Sequence, residues 1–342
     1  KENNFTFKKY ILKFMEENLI SVITPCLNGE KLIHRFLESL LNQTYKKFEL
    51  IFVDDGSTDK TKEVLFSYKQ KFNNNKINLI YIYKKNAGLA AAINTGLKKV
   101  NGEYFCWPDS DDYLEPTSLE KRINILKSNK DYAVVTSDAF VRDINNLTSF
   151  ISLASKKQID KFKENQFELL LSGNSMFIPG THMVRTKSFF ETNPKGEIFP
   201  CRRGQNWQLL MPLYFKYKRY FLDEPLYNYI VYETSMSKGD NTLEKQIFRA
   251  NEHEGIILRT LESMTMDKRS YKKYTFETKI RYARKRLTIA FLHRNNSMIS
   301  KEYFTLKVNN QKRIKEFIYC IISKNLIAHG LFLKVLLFLR SN

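Results

Sequence analysis

Residues 19–57 read LISVITPCLNGEKLIHRFLESLLNQTYKKFELIFVDDGS. The run at 19–24 is short, apolar and rich in β-branched residues, and it ends at Pro25. Apolar residues then recur at helical spacing, at Leu32, Ile33, Phe36, Leu37, Leu40 and Leu41. A second strand at 48–53 stops at the polar residues 54–57. Strand, helix and strand in this order predict a βαβ unit and a parallel sheet.

This alternation continues to residue 138. Further strands are predicted at residues 77–83, 104–107 and 132–136. In such sheets ligands bind beyond the carboxyl ends of the strands. Those ends carry Asn28, Asp54, Asp55, Asp109 and Asp111. We therefore expect three polar clusters to converge on one edge of the sheet.

The pattern weakens after residue 138. Helices are predicted at residues 155–171 and 207–217, and a strand pair at 220–232 around Glu224 and Pro225. From residue 243 the chain reads as helices, the last at 314–339. The predicted fold is therefore α/β, a mixed but mostly parallel sheet flanked by helices, with a helical C-terminal extension.

The net charge of +20 is concentrated in the C-terminal third of the chain. The first 138 residues hold 21 basic and 18 acidic residues, a balance of +3, whereas residues 245–342 hold 21 and 7, a balance of +14. Such a field attracts phosphate-bearing partners, either nucleic acid, anionic lipid headgroups or an anionic acceptor; the alternative is a solvated lysine-rich surface. No zinc-finger, basic-zipper or RNP-type pattern is present, so no specific nucleic acid is expected.

The cysteines and the apolar segments indicate a cytoplasmic protein. Cys26, Cys106, Cys201 and Cys320 lie far apart without a C-x-x-C pair, which argues against a zinc site or a disulfide framework. The segment at 5–19 is interrupted by charges and does not fit a signal peptide, and no apolar run has the length of a membrane span. Because the chain does not begin with Met, we expect that an upstream domain is missing.

Asp109-Ser110-Asp111, directly after a strand, is the central chemical signal. Alternating carboxylates suit Mn²⁺ or Mg²⁺, which bridges two phosphates and offsets the charge of a departing diphosphate. Asp54-Asp55 suits recognition of a pyrimidine base and ribose, because a carboxylate accepts the hydrogen bond of the ring N3–H. The alternative for both clusters is an ordinary turn. Neither G-x-G-x-x-G after the first strand nor a Walker A lysine motif occurs, which excludes a dinucleotide-dependent oxidoreductase.

In residues 19–138 the motifs resemble those of glycosyltransferase family 2, the inverting enzymes of the GT-A fold. The matching motifs are Val22-Ile23-Thr24-Pro25 with Asn28 and Glu30, Gln43-Thr44-Tyr45, Val53-Asp54-Asp55-Gly56-Ser57-Thr58-Asp59, Asn86-Ala87-Gly88, Asn94-x-Gly96, Gly102-Glu103-Tyr104 and Asp109-Ser110-Asp111-Asp112-Tyr113-Leu114-Glu115-Pro116. Weaker similarity continues to about residue 237, where Ser235-Met236-Ser237 resembles a loop that closes over the diphosphate, with Lys238 beside it.

The resemblance implies a Rossmann-like GT-A sheet with a nucleotide pocket and a metal site. Asp111 is the expected main metal ligand and catalytic residue, with Asp109 as second ligand near the ribose. The expected substrate-binding residues are Thr24, Pro25, Cys26, Asn28, Glu30, Asp54, Asp55, Asn86, Gly88, Asp109 and Ser110. Four regions are predicted: a helical lead-in at 1–18, a nucleotide-sugar-binding half at 19–138, an acceptor-binding half at 139–242 and a basic helical region at 243–342.

The chain departs from the family where its catalytic base usually stands, in a Glu-Asp pair before an aromatic residue. Here the sequence is Gln205-Asn206-Trp207, and an amide cannot take a proton at neutral pH. Three explanations remain open: His182 serves as the base, the acceptor is an ionised lipid phosphate that needs none, or the protein is a slow or inactive relative. In each case Gln205 and Asn206 are expected to contact a sugar hydroxyl.

The sequence therefore predicts a metal-dependent glycosyltransferase that uses a nucleotide sugar, with UDP as the default carrier. A glycan or polyprenyl-linked acceptor in bacterial surface polysaccharide or glycoconjugate synthesis is expected. An anionic membrane surface is a further expected partner, contacted through Arg281, Arg284, Lys285 and Arg286 at the inner face of the membrane. The alternative is a basic protein that binds nucleic acid or an anionic membrane and carries an inactive GT-A domain.

Overall fold

The computed structural model describes residues 15–158, 160–201, 203–233 and 241–341. The chain divides into two compact units, Lys1–Tyr232 and Glu233–Asn342. The predicted boundary between residues 138 and 139 falls inside a strand, so the two halves on either side of it share one sheet. Most of the predicted lead-in, residues 1–14, lies outside the described residues, and residues 16–18 belong to the first strand.

The first unit is built on one mixed sheet, which has nine strands in the described residues. The strands are β1 (Glu16–Cys26), β2 (Phe48–Asp54), β3 (Asn78–Tyr83), β4 (Gly102–Cys106), β5 (Tyr113–Leu114), β6 (Tyr132–Asp143), β7 (Ser152–Leu153), β8 (His182–Arg185) and β9 (Lys218–Val231). Their order is β3-β2-β1-β4-β8-β6-β9-β5, and β7 pairs with β6. The sheet is parallel from β3 to β4, and β8 lies antiparallel to both β4 and β6.

Helices flank the sheet and build the second unit. In the first unit they are α1 (Ile33–Leu41), α2 (Thr61–Ser67), α3 (Lys69–Asn74), α4 (Leu89–Leu97), α5 (Ser118–Ser128), α6 (Phe167–Ser172), α7 (Thr186–Thr192) and α8 (Gln205–Lys216). In the second unit they are α9 (Leu243–Ser263), α10 (Lys268–Leu292), α11 (Asn296–Val308), α12 (Ile314–Ile322) and α13 (Leu326–Ser341). None of the helices in the described ranges combines the length and apolar character needed to cross a membrane.

Apolar periodicity explains why the first βαβ unit folds as predicted. On α1 the side chains of Ile33, Phe36, Leu37 and Leu40 recur on one face and are fully buried. They join a core that includes Leu50 of β2. Full burial of side chains of this size contributes about 1.5–3 kcal/mol each, which outweighs local preferences and fixes the helix against the sheet.

Three predicted elements after residue 138 were wrong. The helix at 155–171 is a 3₁₀ turn at Ala154–Lys157 followed by α6, because the Asp138 carboxylate binds both the amide and the hydroxyl of Ser155 and holds the chain in the turn. The strand pair at 220–232 is the single strand β9, since Pro225 lies at a register shift opposite Asp138 where no ladder donor is needed.

The third error concerns the long C-terminal helix predicted at 314–339, which is two helices. Helix α12 ends at Ile322, and α13 begins at Leu326. The side-chain oxygen of Asn325 accepts a hydrogen bond from the amide of Ala328 at 3.0 Å. Asn325 thus starts a new helix in the manner of an N-cap residue, and this interrupts an otherwise helical apolar pattern.

Candidate active site

The polar residues after β1 and β2 form one connected structure at the carboxyl edge of the sheet. The amide of Asn28 donates to the Ser57 hydroxyl (2.9 Å), and the Asn28 side-chain oxygen accepts from the Thr58 amide (2.9 Å). Glu30 makes the matching pair, since its amide donates to Asp59 (3.0 Å) and its carboxylate accepts from the Lys60 amide (2.9 Å). The two loops therefore hold each other in place through side chain to backbone bonds.

Asp55 connects the loop after β2 to the loop after β3. Its carboxylate accepts hydrogen bonds from the backbone amides of Ala87 (3.1 Å) and Gly88 (2.8 Å) and pairs with Lys84. The side chain is almost completely buried, at 6% exposure. Charge-assisted bonds of this kind are about twice as strong as neutral ones. Asp55 thus fixes the turn that carries Gly88, and its role as a base-binding carboxylate stays a prediction.

Asp54 and Gly56 stabilise the turn after β2 in two different ways. The carboxylate of Asp54 accepts from the Ser57 amide (2.7 Å) and from the Tyr81 hydroxyl (2.8 Å). Gly56 has φ +90°, and a Cβ atom there would come within 2.7 Å of the Asn86 amide nitrogen. Only glycine accommodates both the backbone angle and this close approach.

Thr24, Pro25 and Cys26 form the buried end of β1 beneath these loops. The side chain of Cys26 hydrogen-bonds with that of Ser110, which connects β1 to the turn after β4. Burial raises the pKa of the Cys26 thiol to about 12, so the thiol stays protonated at neutral pH. None of the four cysteines forms a disulfide bond in the described residues.

Asp109, Asp111 and Asp112 crowd three carboxyl groups into the turn between β4 and β5. Burial and the neighbouring charge of Asp111 raise the pKa of Asp109 to about 8. Burial likewise raises the pKa of Asp111. The pKa of Asp112 is raised well above its ordinary value, mainly by burial and then by the other two carboxylates. The turn therefore holds more negative charge than its surroundings favour.

Three side chains that were not predicted from the sequence hold this turn: Arg35, Tyr232 and Tyr227. The Arg35 guanidinium donates to the backbone oxygen of Asp111 (2.7 Å), and the Tyr232 hydroxyl donates to the same oxygen (3.1 Å). On the other side Asp112 accepts from the Tyr227 hydroxyl (2.8 Å) and from the Ile230 amide (2.7 Å). Gly180 allows the Tyr227 ring to approach, since a Cβ atom there would lie 2.0 Å from the ring. Arg35 and Tyr227 are single residues within amphipathic elements, and no local sequence pattern distinguishes them.

The donor set in this turn fits a hard divalent cation. Carboxylate oxygens are the ligands that Mn²⁺ and Mg²⁺ prefer, and a bound cation would relieve the mutual repulsion of Asp109 and Asp111. In the described part of the chain no group of three or more acidic, histidine or cysteine side chains converges to hold a metal. Two carboxylates with remaining positions open to water and phosphate are the arrangement typical of Mg²⁺ at a nucleotide.

The side chain of His182 lies in the interior of the first unit, where a substrate cannot reach it. Its side chain is fully buried, its Nδ1 atom bonds the Thr136 hydroxyl (3.0 Å), and its ring stacks on Trp107. Burial, together with the charges of Arg219 and Arg122, lowers the pKa of His182 well below its ordinary value. A general base must reach the acceptor, so this burial argues against the predicted role of His182.

Asn206 is also committed to the interior. Its amide nitrogen donates to the Phe177 backbone oxygen (2.6 Å), and its side-chain oxygen accepts from the indole nitrogen of Trp107 (2.8 Å). One partner only accepts and the other only donates, so an amide satisfies both and an ionised carboxylate satisfies one. This requirement explains why Asn stands at this position. Within the described residues Gln205 has no side-chain hydrogen bond, and it lies beside Asn206 at the start of α8.

The predicted closing loop, Ser235 to Ser237 with Lys238, lies outside the described residues. The described site therefore consists of the loops after β1, β2 and β3, the carboxylate turn after β4, and the start of α8. These loops contact one another directly, as the bonds from Asn28 to Ser57 and from Asp55 to Gly88 show. Asn86 is exposed at this edge beside Gly56.

Comparison with solved structures defines the class of the fold. Staphylococcus aureus TarS 1-349 in complex with UDP-GlcNAc aligns over 91% of this chain and 92% of its own, with a TM-score of 0.60 and 18% identity. Mannosyltransferase PcManGT from Pyrobaculum calidifontis, in complex with GDP-Man and Mn²⁺, aligns over 96% and 93%, with a TM-score of 0.53 and 15% identity. The sheet and its flanking helices have the GT-A fold.

The family model for glycosyl transferase family 2 matches residues 21–192. This protein belongs to glycosyltransferase family 2. An uncharacterized glycosyltransferase from Rickettsia typhi is 34% identical over 179 residues, which are 51% of this chain and 54% of that protein. Glycosyltransferase GlyA from Streptococcus pneumoniae is 28% identical over 235 residues, 65% of this chain and 32% of that protein. The match thus spans about half the length of the Rickettsia relative and a third of GlyA.

Proposed function

We propose that this protein transfers a sugar from a nucleotide sugar, with a UDP leaving group, to a glycan or a lipid-linked acceptor. The observation that carries the proposal is the crowded carboxylate turn at Asp109 and Asp111, which Arg35 holds and which follows β4 at the same edge of the sheet as the loop that Asp55 anchors. The solved structures named above are of complexes with UDP-GlcNAc and with GDP-Man, which supports a nucleotide sugar as donor.

Asp109 and Asp111 would hold Mn²⁺ or Mg²⁺ together with the donor diphosphate. When bound, the ion supplies Lewis-acid stabilisation of the negative charge on the departing diphosphate. Arg35 and Tyr227 fix the backbone of the turn that carries both carboxylates, through the Asp111 oxygen and the Asp109 amide. Such prior positioning avoids reorganisation during the reaction, which is the usual source of electrostatic catalysis.

The acceptor oxygen attacks the anomeric carbon, and the bond from that carbon to the diphosphate oxygen breaks with its electron pair. A hydroxyl acceptor must then lose a proton, whereas an ionised phosphate acceptor carries none to lose. Asn206 is engaged with Trp107 and Phe177, and His182 is fully buried. This arrangement favours a phosphate acceptor, such as a polyprenyl phosphate, and with it a position of the enzyme at the cytoplasmic face of a membrane.

A screen of nucleotide sugars with Mn²⁺ tests the proposal. Donor hydrolysis and transfer are measured for UDP-, dTDP- and GDP-sugars, with polyprenyl phosphate or an oligosaccharide as acceptor, and the products are weighed by mass spectrometry. We expect turnover of a UDP-sugar that requires the metal and is faster with the phosphate acceptor. Turnover without added metal and in the presence of a chelator would contradict the role of the carboxylate turn.

A second candidate is an anionic-membrane- or nucleic-acid-binding protein with an inactive GT-A domain. The amides at Gln205 and Asn206, in place of the family's acidic pair, favour this reading. The same screen distinguishes this candidate, because no donor would be consumed under any condition although calorimetry would detect UDP binding. The protein would also bind nucleic acid or anionic vesicles, and added salt would weaken that binding.

A further inference from the structure

The helices of the second unit expose large apolar side chains at high density. Eight such side chains between residues 304 and 331 are from 51% to 79% exposed. They are Phe304, Val308, Ile314, Phe317, Ile321, Leu326, Ile327 and Leu331, and we refer to them as the C-terminal apolar face. Single exposed apolar residues are ordinary on soluble proteins, whereas a concentration of them marks an interaction site.

The exposed residues follow the helical repeat, so they belong to defined faces. On α12, Ile314, Phe317 and Ile321 recur at spacings of three and four and are exposed, while Glu316 and Tyr319 on the other side are buried. On α11 the exposed pair Phe304 and Val308 opposes a buried side with Leu306. Each helix therefore has one side in the core of the unit and an apolar side outward.

Helix α13 repeats this arrangement. Leu326, Ile327 and Leu331 are exposed, and His329 is buried with its ring nitrogen 2.7 Å from the Phe291 backbone oxygen. His329 already packs α13 against the core of the unit. The exposed side chains therefore lie on a helix that is packed in place. The ring of Phe317 on α12 also lies 6.4 Å from that of Tyr303 on α11, so the two helices meet close to their exposed faces.

The charges around this face have one sign. Residues 301–334 contain two acidic side chains, Glu302 and Glu316, each 6% exposed. Glu302 pairs with Arg286 and Glu316 with Arg284, so neither presents free negative charge at the surface. The basic residues of the same stretch are all exposed: Lys301, Lys307, Lys312, Arg313, Lys315, Lys324 and Lys334.

We propose that the C-terminal apolar face lies on the surface of an anionic phospholipid bilayer. Apolar side chains bordered by lysine and arginine are what an interfacial helix presents to lipid, with the rings and aliphatic groups at the acyl boundary and the cations at the headgroups. A second copy of the chain fits less well, because two surfaces with only positive charge repel each other. Nucleic acid leaves the apolar side chains without a partner.

These residues differ from the basic cluster that the sequence suggested. Arg286 is paired with Glu254 and Glu302, and Arg284 with Glu316, so half of that cluster is neutralised inside the unit. Membrane binding is therefore assigned to the exposed lysines and to the apolar side chains between them. The assignment is independent of catalysis, since it uses no residue of the candidate active site.

Vesicle sedimentation of the full chain tests the proposal. The probes are vesicles of phosphatidylcholine alone and of phosphatidylcholine with an equal part of phosphatidylglycerol. The triple variant Ile314→Ser, Phe317→Ser, Ile321→Ser is compared with the control Phe150→Ser, Ile151→Ser, Phe162→Ser, which removes equally exposed apolar residues from the first unit. We expect strong binding of the wild type and the control to the anionic vesicles, and binding at least about 10-fold weaker for the test variant.

Depth of insertion is measured independently with single tryptophan substitutions. F317W is expected to show a blue-shifted emission and quenching by brominated acyl chains when anionic vesicles are added, and F162W is expected to show neither. Both native tryptophans, Trp107 and Trp207, are buried and serve as constant background. These single substitutions retain an aromatic ring, so the readout holds even if the triple variant fails to fold.

Three results would overturn the proposal. The first is wild-type protein that stays in solution with the anionic vesicles. The second is equal binding by the test and control triple variants. The third is an unshifted F317W spectrum together with a dimer, measured by light scattering, that the triple variant converts to a monomer; that result assigns the face to a second copy of the chain.

Discussion

The hydroxyl of Tyr227 donates a hydrogen bond to Asp112 and accepts one from the backbone amide of Asp109, so one ring binds both ends of the carboxylate turn. Strand β9, which carries Tyr227, thereby positions residues that lie more than a hundred positions earlier in the chain. Tyr227 does not touch a reacting group in this arrangement, and its role is to position the turn.

Tyr227→Phe tests this role. Loss of the hydroxyl leaves the buried Asp112 oxygen and the Asp109 amide without a partner, which costs about 1–3 kcal/mol. We expect the free energy of unfolding in urea to fall by that amount and Mn²⁺ to bind more weakly by calorimetry. Tyr229→Phe is the control, since the Tyr229 hydroxyl has no hydrogen bond to any residue that the structure describes. If Tyr227→Phe and Tyr229→Phe bound Mn²⁺ with equal affinity, the Tyr227 hydroxyl would not be needed to position the turn.

Asp111→Asn tests the metal site. The substitution removes a ligand charge at nearly constant volume, so the stabilisation of the leaving diphosphate is lost. We expect metal-dependent consumption of the donor to fall by about 100-fold or more. The melting temperature in the absence of metal should not fall, because the substitution removes one of the crowded charges of the turn. Asp131→Asn, at an exposed position, is expected to have no effect. Full activity in Asp111→Asn would defeat the assignment of the cluster.

Asp55→Asn tests the connection between the loops after β2 and β3. The amide nitrogen of asparagine cannot accept from Gly88, and Lys84 loses its ion pair. We expect UDP to bind about 10-fold more weakly and stability to fall by about 2 kcal/mol. Lys85→Gln, at the exposed neighbour of Lys84, is expected to leave both unchanged. Isothermal titration with UDP and urea unfolding measure the two effects.

Asn206→Asp and Gln205→Glu restore, one at a time, the acidic pair that the family usually has. In Asn206→Asp a carboxylate faces the Phe177 carbonyl oxygen in the interior, and we expect a loss of about 3 kcal/mol in urea unfolding. Gln205→Glu places a negative charge at a helix N-terminus, so stability should change by less than about 1 kcal/mol. If Gln205→Glu strongly accelerates transfer to an alcohol, the phosphate acceptor proposed above is wrong.

His182→Gln tests whether the buried imidazole takes part in proton transfer. Because the pKa of His182 is lowered, the unfolded chain binds a proton that the folded protein excludes, and wild-type stability should fall as pH drops below the ordinary value of 6.5. In His182→Gln this pH dependence should be reduced. We expect the pH dependence of turnover above pH 6 to match the wild type, measured on equal amounts of folded protein. If a pKa in the turnover profile of the wild type were absent from that of His182→Gln, His182 would be the general base after all.

Regular patterns made the first half of the fold predictable. The apolar repeat of α1 and the runs of β1 and β2 are local, and the structure has them where the sequence placed them. The helix expected at 155–171 failed because Asp138, seventeen residues before Ser155, determines the local conformation. The periodicity of apolar residues does not reveal a hydrogen bond between side chains and backbone so far apart in the sequence.

The same distinction applies to the site. Asp54, Asp55, Asp109 and Asp111 were identifiable because they follow strands whose ends must meet. Arg35 and Tyr227 were not, because their function depends on which atoms of the carboxylate turn they reach after folding. The two buried hydrogen bonds of Asn206 could not be predicted either, since its partners Trp107 and Phe177 lie 99 and 29 residues away in the sequence.

The paired bonds of Asn28 with Ser57 and Thr58, and of Glu30 with Lys60 and Asp59, have a thermodynamic consequence for ligand capture. Two segments that are already fastened to each other lose little conformational entropy when a nucleotide arrives, so more of the contact energy remains as affinity. Recognition at this edge should therefore approach rigid docking, with fast association and a small entropic cost.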